Sequence, residues 1–395
     1  MSRRPRAHAW RWARAIGVTL ALAMPAAAQT SGPPGPATHV GDEDRLPPRH
    51  QIMGAFSCRG EAELRLGHDR VLGVGNPDLL SVPRLGAIAA LELGRTLRLE
   101  GGAAYDRATD DMVVERARLE WQAWRASAIH VGILPLPLLQ SNLRTDTPGA
   151  AFGDRSLVAD HLVGVPSSQL GLGLRGLRGP DANPAMVYEL DVVAGYDDGV
   201  IGDAPDGTRV PRGRNNFADH DGLPALAARI EMRSPSDAWL AFGGYGGQYN
   251  QTRFGGATVD RARYAWIATA DGAAQRGGIR VKGEAAFVAV DVPPGLVTIF
   301  ARQQVGGALE LSRILRQPLI GAWGRSALEA AVRADAVDFD RAIAGDSRER
   351  IAVALNLRQQ PQAVFRFDFY HEWRRDRFAI LTPAAGVAFG VGTYF

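Results

Sequence analysis

The sequence predicts an all-β fold: a transmembrane antiparallel β-barrel of about 16 strands, with a long loop folded into the lumen. Three observations predict it. The chain ends on an uncharged alternating segment, Gly386 to Phe395 (GVAFGVGTYF), and stops on an aromatic residue, where chain ends are ordinarily polar and frayed. Period-2 segments recur through the chain, close to the roughly 9–11 residues that a tilted strand needs to cross the hydrocarbon. Their polar faces are heavily charged, whereas a helical membrane protein would need runs of roughly 20 apolar residues.

Taken in order, the chain begins with a leader. Arg3, Arg4, Arg6, Arg11 and Arg14 precede the apolar run Ala15 to Met24, then Pro25 and Ala26-Ala27-Ala28. Basic, apolar and small-residue regions in that order predict a signal peptide over 1–28, cleaved after Ala28. Residues 1–28 hold five of the 45 basic residues and none of the 42 acidic ones. The remainder, with 40 basic and 42 acidic residues, balances at −2. The basic excess therefore belongs to the leader, and the composition argues against a nucleic-acid partner. One cysteine, Cys58, excludes an intramolecular disulfide framework. Residues 29–50, rich in Pro, Gly and Thr, predict a flexible periplasmic lead-in, and 51–395 the barrel.

The strands are expected at 52–66, 84–94, 96–106, 112–124, 127–134, 168–177, 185–196, 223–232, 238–248, 259–271, 278–291, 297–316, 325–338, 348–358, 363–374 and 385–395. Met112 to Trp124 shows the pattern best. Arg116, Arg118, Glu120 and Gln122 share one face; Ala117, Leu119, Trp121 and Ala123 share the other. Likewise Phe365, Phe367 and Phe369 alternate with Arg366, Asp368 and Tyr370. Aromatics near segment ends (Trp121, Trp124, Tyr196, Trp373, Tyr394) suit interfacial girdles. The basic side chains assigned to the lumen include Arg116, Arg118, Arg261, Arg263, Arg280 and Lys282, the last being the only lysine. They slightly outnumber the acidic ones, which predicts a weak anion preference.

Two resemblances are specific. Gly386 to Phe395 resembles the closing-strand signature of bacterial outer-membrane barrels, in which the terminal Phe marks the strand for the barrel assembly machinery. His130 to Leu138 (HVGILPLPL), Phe152 to Leu157 (FGDRSL), Leu170-Gly171 and Arg333 to Asp340 (RADAVDFD) resemble elements of the phosphate-selective porin O and P family. The resemblance implies an outer-membrane pore of about 16 strands, homotrimeric, passing small ions or solutes. Leu134, Pro135 and Leu139 depart from that family's pattern, as does Ser168-Gln169, where an Arg-Asp pair is common. Near-absence of lysine leaves phosphate specificity without support.

The stretch Pro135 to Ser167 is the candidate constriction. Pro135, Pro137, Pro148 and Pro166 stiffen it, because each ring fixes φ. Arg144, Asp146, Asp154 and Arg155 would then set a field across the pore, or Asp154-Arg155 would pair locally and pin the loop to the wall. An enzyme is not expected. No G-x-S-x-G occurs, and Gly243 to Gly247 lacks the Lys-Ser/Thr of a phosphate loop. His130 and His161 bracket the loop, yet no third metal ligand stands at useful spacing, so neither metal nor cofactor is expected. The competing expectation is a plugged structural or export barrel.

Overall fold

The structure, a computed structural model, describes residues 50–395 except 54, 77–79, 107–110, 145–147, 180–184, 203–206, 215, 220, 235–237, 321–325 and 360–362. The expected leader and nearly all of the lead-in lie outside the described residues. Eighteen strands form one continuous antiparallel sheet. Two are short, His50–Met53 and Val74–Asn76. The remaining sixteen are the barrel staves: β1 Phe56–Val71, β2 Leu80–Leu93, β3 Leu97–Asp106, β4 Asp111–Trp124, β5 Ser127–Pro135, β6 Ser168–Arg178, β7 Ala185–Val193 and β8 Ala225–Arg233, followed by β9 Trp239–Gln248, β10 Tyr264–Arg276, β11 Ile279–Val290, β12 Gln303–Arg316, β13 Ser326–Asp338, β14 Ser347–Gln359, β15 Ala363–Arg375 and β16 Leu381–Tyr394.

Each stave pairs with its sequence neighbours, and β16 pairs with β1 from Glu61↔Tyr394 to Val71↔Ala384. That pairing leaves no open edge, which lets a sheet sit in lipid with every ladder hydrogen bond made. Side-chain alternation does the rest. On β14, Ile351, Val353 and Leu355 face outward while Ala352, Ala354 and Asn356 are buried inside. On β15, Phe367 and Phe369 face outward while Arg366 and Asp368 face inward. An apolar outside and a charged inside are what a bilayer and a polar lumen demand.

Several expected boundaries move. The tenth strand begins at Tyr264, because Asp260 captures Arg263 within the preceding loop (Nε–Oδ2 2.6 Å). The twelfth begins at Gln303; Pro294–Leu296 forms a 3-10 turn instead, and Phe300 is drawn into an interior apolar cluster. Tyr196, expected in an outer girdle, is buried in that cluster, edge-on to Tyr245 at 4.9 Å between centroids. The long connections (136–167, 194–224, 249–263, 291–302) all leave the same end of the barrel. Phe395 and the start of β1 lie at the other, with the turns 125–126 and 277–278.

Candidate functional site

The loop between β5 and β6 turns into the barrel and follows its inner wall. It opens with Pro135 and Pro137, forms the short helix α1 (Gln140–Leu143), and closes through a π-helical turn, Val158–Val163. Leu136, Leu138, Leu139, Leu157, Leu162 and Val163 are fully or almost fully buried in an apolar cluster with Val288, Val337 and Phe339 of the wall and connecting segments. Burying six aliphatic side chains supplies on the order of 10 kcal/mol of driving force for docking, before ordering costs.

Polar contacts fix where the loop lies. Leu138 O accepts from Arg229 Nη1 of β8 (3.0 Å) and Thr269 Oγ1 of β10 (2.6 Å). Between them, Gly243 of β9 leaves the necessary space. A Cβ there would stand 2.6 Å from Leu138 O. Gln140 N donates to Asp271 Oδ2 (2.8 Å), and Ser141 and Ser156 both donate to Glu284 of β11. Farther round, Arg333 of β13 and Arg350 of β14 donate to the carbonyls of Asp154 and Arg155. Arg358 and Arg366 hold the carbonyls of Pro148 and Ala150 (2.7–2.9 Å). Arg229, Arg333, Arg350, Arg358 and Arg366 thus each pair with a wall acid and also donate to a loop carbonyl, an arrangement suited to a buried backbone lacking a ladder partner.

Asp154 reaches Arg65 of β1 and forms a two-point ion pair with it, one of the contacts being 3.2 Å. Asp154 thus ties the loop to the wall through Arg65 of β1. Burial works against the Asp154 carboxylate, but Arg65 outweighs it, with Arg350 and Arg333 behind, and holds the pKa down at about 2.

The other expected site residues divide. Arg116 and Arg118 project from β4 into the lumen. Arg118 Nη2 lies 2.9 Å from Glu100 of β3, and Arg116 Nη2 donates to Leu143 O at 3.2 Å. Arg144 ends α1, its backbone N–H bonded to Gln140 O. Lys282 is half-buried on the lumen side of β11. Three residues expected in the lumen instead stand at the rims. Arg261 and Arg263 sit in the 249–263 loop, paired with Asp291 and Asp260. Arg280, next to the 277–278 turn at the opposite end, is exposed and bonded to Gln275. Asp146 lies outside the described residues.

Glu115 was not expected in the lumen. A β-bulge in β4, where Gly102 pairs with Arg116 and Ala103 with Val114, inserts Glu115 as the extra residue and turns it inward. There it accepts from Arg84 Nη2 at 2.6 Å, and Arg84 also pairs with Glu61. The signal was visible as two adjacent charges, Glu115-Arg116, breaking a period of two. The side chains that approach His130 are Glu189 and Asp191 of β7, and His161 is not among them.

Comparison with solved structures decides the class of barrel. An anion-selective porin from Comamonas acidovorans superposes with a TM-score of 0.55 at 12% identity, over 86% of this chain and 99% of that one. The fold is that of bacterial outer-membrane porins. Salmonella typhi OmpF, in complex with daunomycin, gives 0.55 at 12% identity over 86% and 97% of the two chains. The outer-membrane channel DcaP of Acinetobacter baumannii gives 0.54 at 10% identity over 88% and 99%. No family model and no curated protein matches the sequence.

Proposed function

We propose that this porin fold works as a porin, a pore for passive diffusion of small hydrophilic solutes across the bacterial outer membrane, with a weak preference for anions. The observation that supports this reading is the anchoring of the β5–β6 loop along the inside of a closed barrel by wall arginines and acids; in this reading the loop narrows the passage. Charges lining a narrowed passage act on permeating ions through a low-dielectric wall. Arg116, Arg118 and Arg144 lie on that path, and the porin neighbours include an anion-selective one. The chain is exported by its leader, inserted with the help of the barrel assembly machinery through the Phe395 end, and assembled as a homotrimer. The loop motifs support a likeness to the phosphate-selective porin O and P type, without that type's lysines.

Planar-bilayer recording from the refolded protein tests this. Discrete channels with a reversal potential slightly toward anions are expected; channels strongly favouring cations would sink the anion preference. Replacing Arg144 and Arg155 together with Ala should lower anion preference, and an unchanged reversal potential would leave both with a structural role.

A second reading is a plugged structural or export barrel. The interior apolar cluster favours it, because it joins the β5–β6 loop to Val200, Val210 and Phe300 of two further loops. Liposome swelling separates the two readings: sugar uptake supports the open pore, and no uptake supports the plug.

A further inference from the structure

We infer that His130, Glu189 and Asp191 form a binding site for a divalent transition-metal cation in the lumen wall. The three side chains come from β5 and β7, which flank β6, and their ligand atoms all lie within 4.8 Å of one another. His130 Nε2 is 2.8 Å from Asp191 Oδ1 and 4.0 Å from Glu189 Oε1. The strand between them makes the meeting possible. His130 pairs with Gly173, and Gly173 with Asp191, so His130 and Asp191 stand in one row across the wall, with Glu189 two residues away on the same face of β7. Any Cβ at position 173 would collide with both Asp191 Oδ1 and His130 Nε2. A side chain there would close the space in which the two ligands face each other.

The hydrogen bonding in the row is incomplete. Asp191 is fully buried, and its Oδ2 has no hydrogen-bond partner. Glu189 comes no closer than 4.0 Å to Arg175 Nε. Arg118, the other nearby cation, is engaged with Glu100 (2.9 Å) and faces Glu120. One oxygen of Asp191 thus lacks the donor that ordinarily satisfies a buried carboxylate, and Glu189 has only long contacts to Arg175 and His130. A divalent cation satisfies all three at once.

One nitrogen and two carboxylate oxygens suit borderline ions such as zinc rather than calcium or magnesium, which take oxygen ligands. Zinc bonds of about 2.0–2.2 Å place tetrahedral ligands roughly 3.3 Å apart. The two His130 separations, 2.8 and 4.0 Å, bracket that value. The proton now shared between His130 Nε2 and Asp191 Oδ1 leaves to solvent as the metal enters, and His130 Nδ1 keeps its own. Three protein ligands leave a fourth position for water.

The test uses the full chain refolded in detergent and titrated with Co²⁺, whose visible absorption reports tetrahedral coordination, followed by competition with Zn²⁺. One saturable site per chain is expected. His130→Gln and Asp191→Asn should each weaken it at least ~10-fold, and Gly173→Ala should block it. His371→Ala, on β15 against Trp373, should leave it unchanged. Heat-modifiable mobility checks that each variant is folded. Absence of saturable Co²⁺ binding, or wild-type affinity in folded His130→Gln, would overturn the site; so would loss of binding in His371→Ala.

Discussion

His161 shows how a single loop residue is tuned by its position. It stands on the π-helical turn, edge-on to Phe339 (5.9 Å), and its Nε2 lies 3.0 Å from Arg348 Nη1. Burial lowers its pKa most; Asp160 pulls the other way and Arg348 adds to the lowering, leaving it at about 4 against an ordinary 6.5. The neutral ring then accepts a hydrogen bond from Arg348. Because the folded pKa is lowered, the unfolded chain binds the proton first on acidification. The stability due to neutral His161 is therefore complete above about pH 6.5 and is lost as pH falls through about 4. Between pH 7 and 4.5 the wild type should lose about 1–3 kcal/mol through this group. Denaturant midpoints at the two pH values, compared with His161→Gln, check it, and an equal loss in both proteins would assign the pH dependence elsewhere. Asp154 acts in the same direction at lower pH: its lowered pKa keeps the Arg65 tie through this whole range and loses it only as pH falls from near 4 through 2.

At the scale of elements, the docked loop is held at its most constrained point where Leu138 crosses β8 to β10. Gly243→Val would force the loop off the wall there and break the bonds to Arg229 and Thr269. At about 1 kcal/mol per hydrogen bond, the expected cost is about 2 kcal/mol, plus larger and noisier single-channel currents as the loop swings free. Wild-type currents from the folded variant would show that the loop is held elsewhere. The staves themselves were legible because Cβ direction alternates strictly along a strand, so a charged face and an apolar face appear in the sequence directly. What that period cannot register is a bulge or a cross-strand meeting. Glu115 escaped notice because one extra residue shifts the phase. His130 and Asp191 escaped because they are 61 positions apart and become neighbours only through the register of β6. Arg261 and Arg263 were misplaced for a third reason: Asp260 offers them a local partner that alternation does not reveal.

The whole molecule depends on one seam. Every other stave pairs with a sequence neighbour through a short connection or a loop, whereas β1 and β16 must find each other across the full chain. Their pairing ends at Phe395, whose backbone exchanges two hydrogen bonds with Gly60 (2.7 and 3.0 Å). The Phe395 ring lies over Gly60 on the outer wall, where a Cβ at position 60 would collide with it. Tyr394, on the opposite face, meets the Arg59 guanidinium at 5.6 Å. The last two side chains therefore clasp β1 from both sides, and the glycine is what admits the outer one. Deleting Phe395 should lower the fraction of chain reaching the heat-modifiable folded form, since closure is the step that removes both sheet edges at once. Gly60→Val should do the same by displacing the ring. Combining Gly60→Val with Phe395→Ala should then cost less than the two single changes added together, because once the ring is gone the valine has nothing to strike. Folded yields measured by gel mobility across this cycle decide the matter; strict additivity would mean that the ring and Gly60 act independently and that the seam is held by its backbone ladder alone.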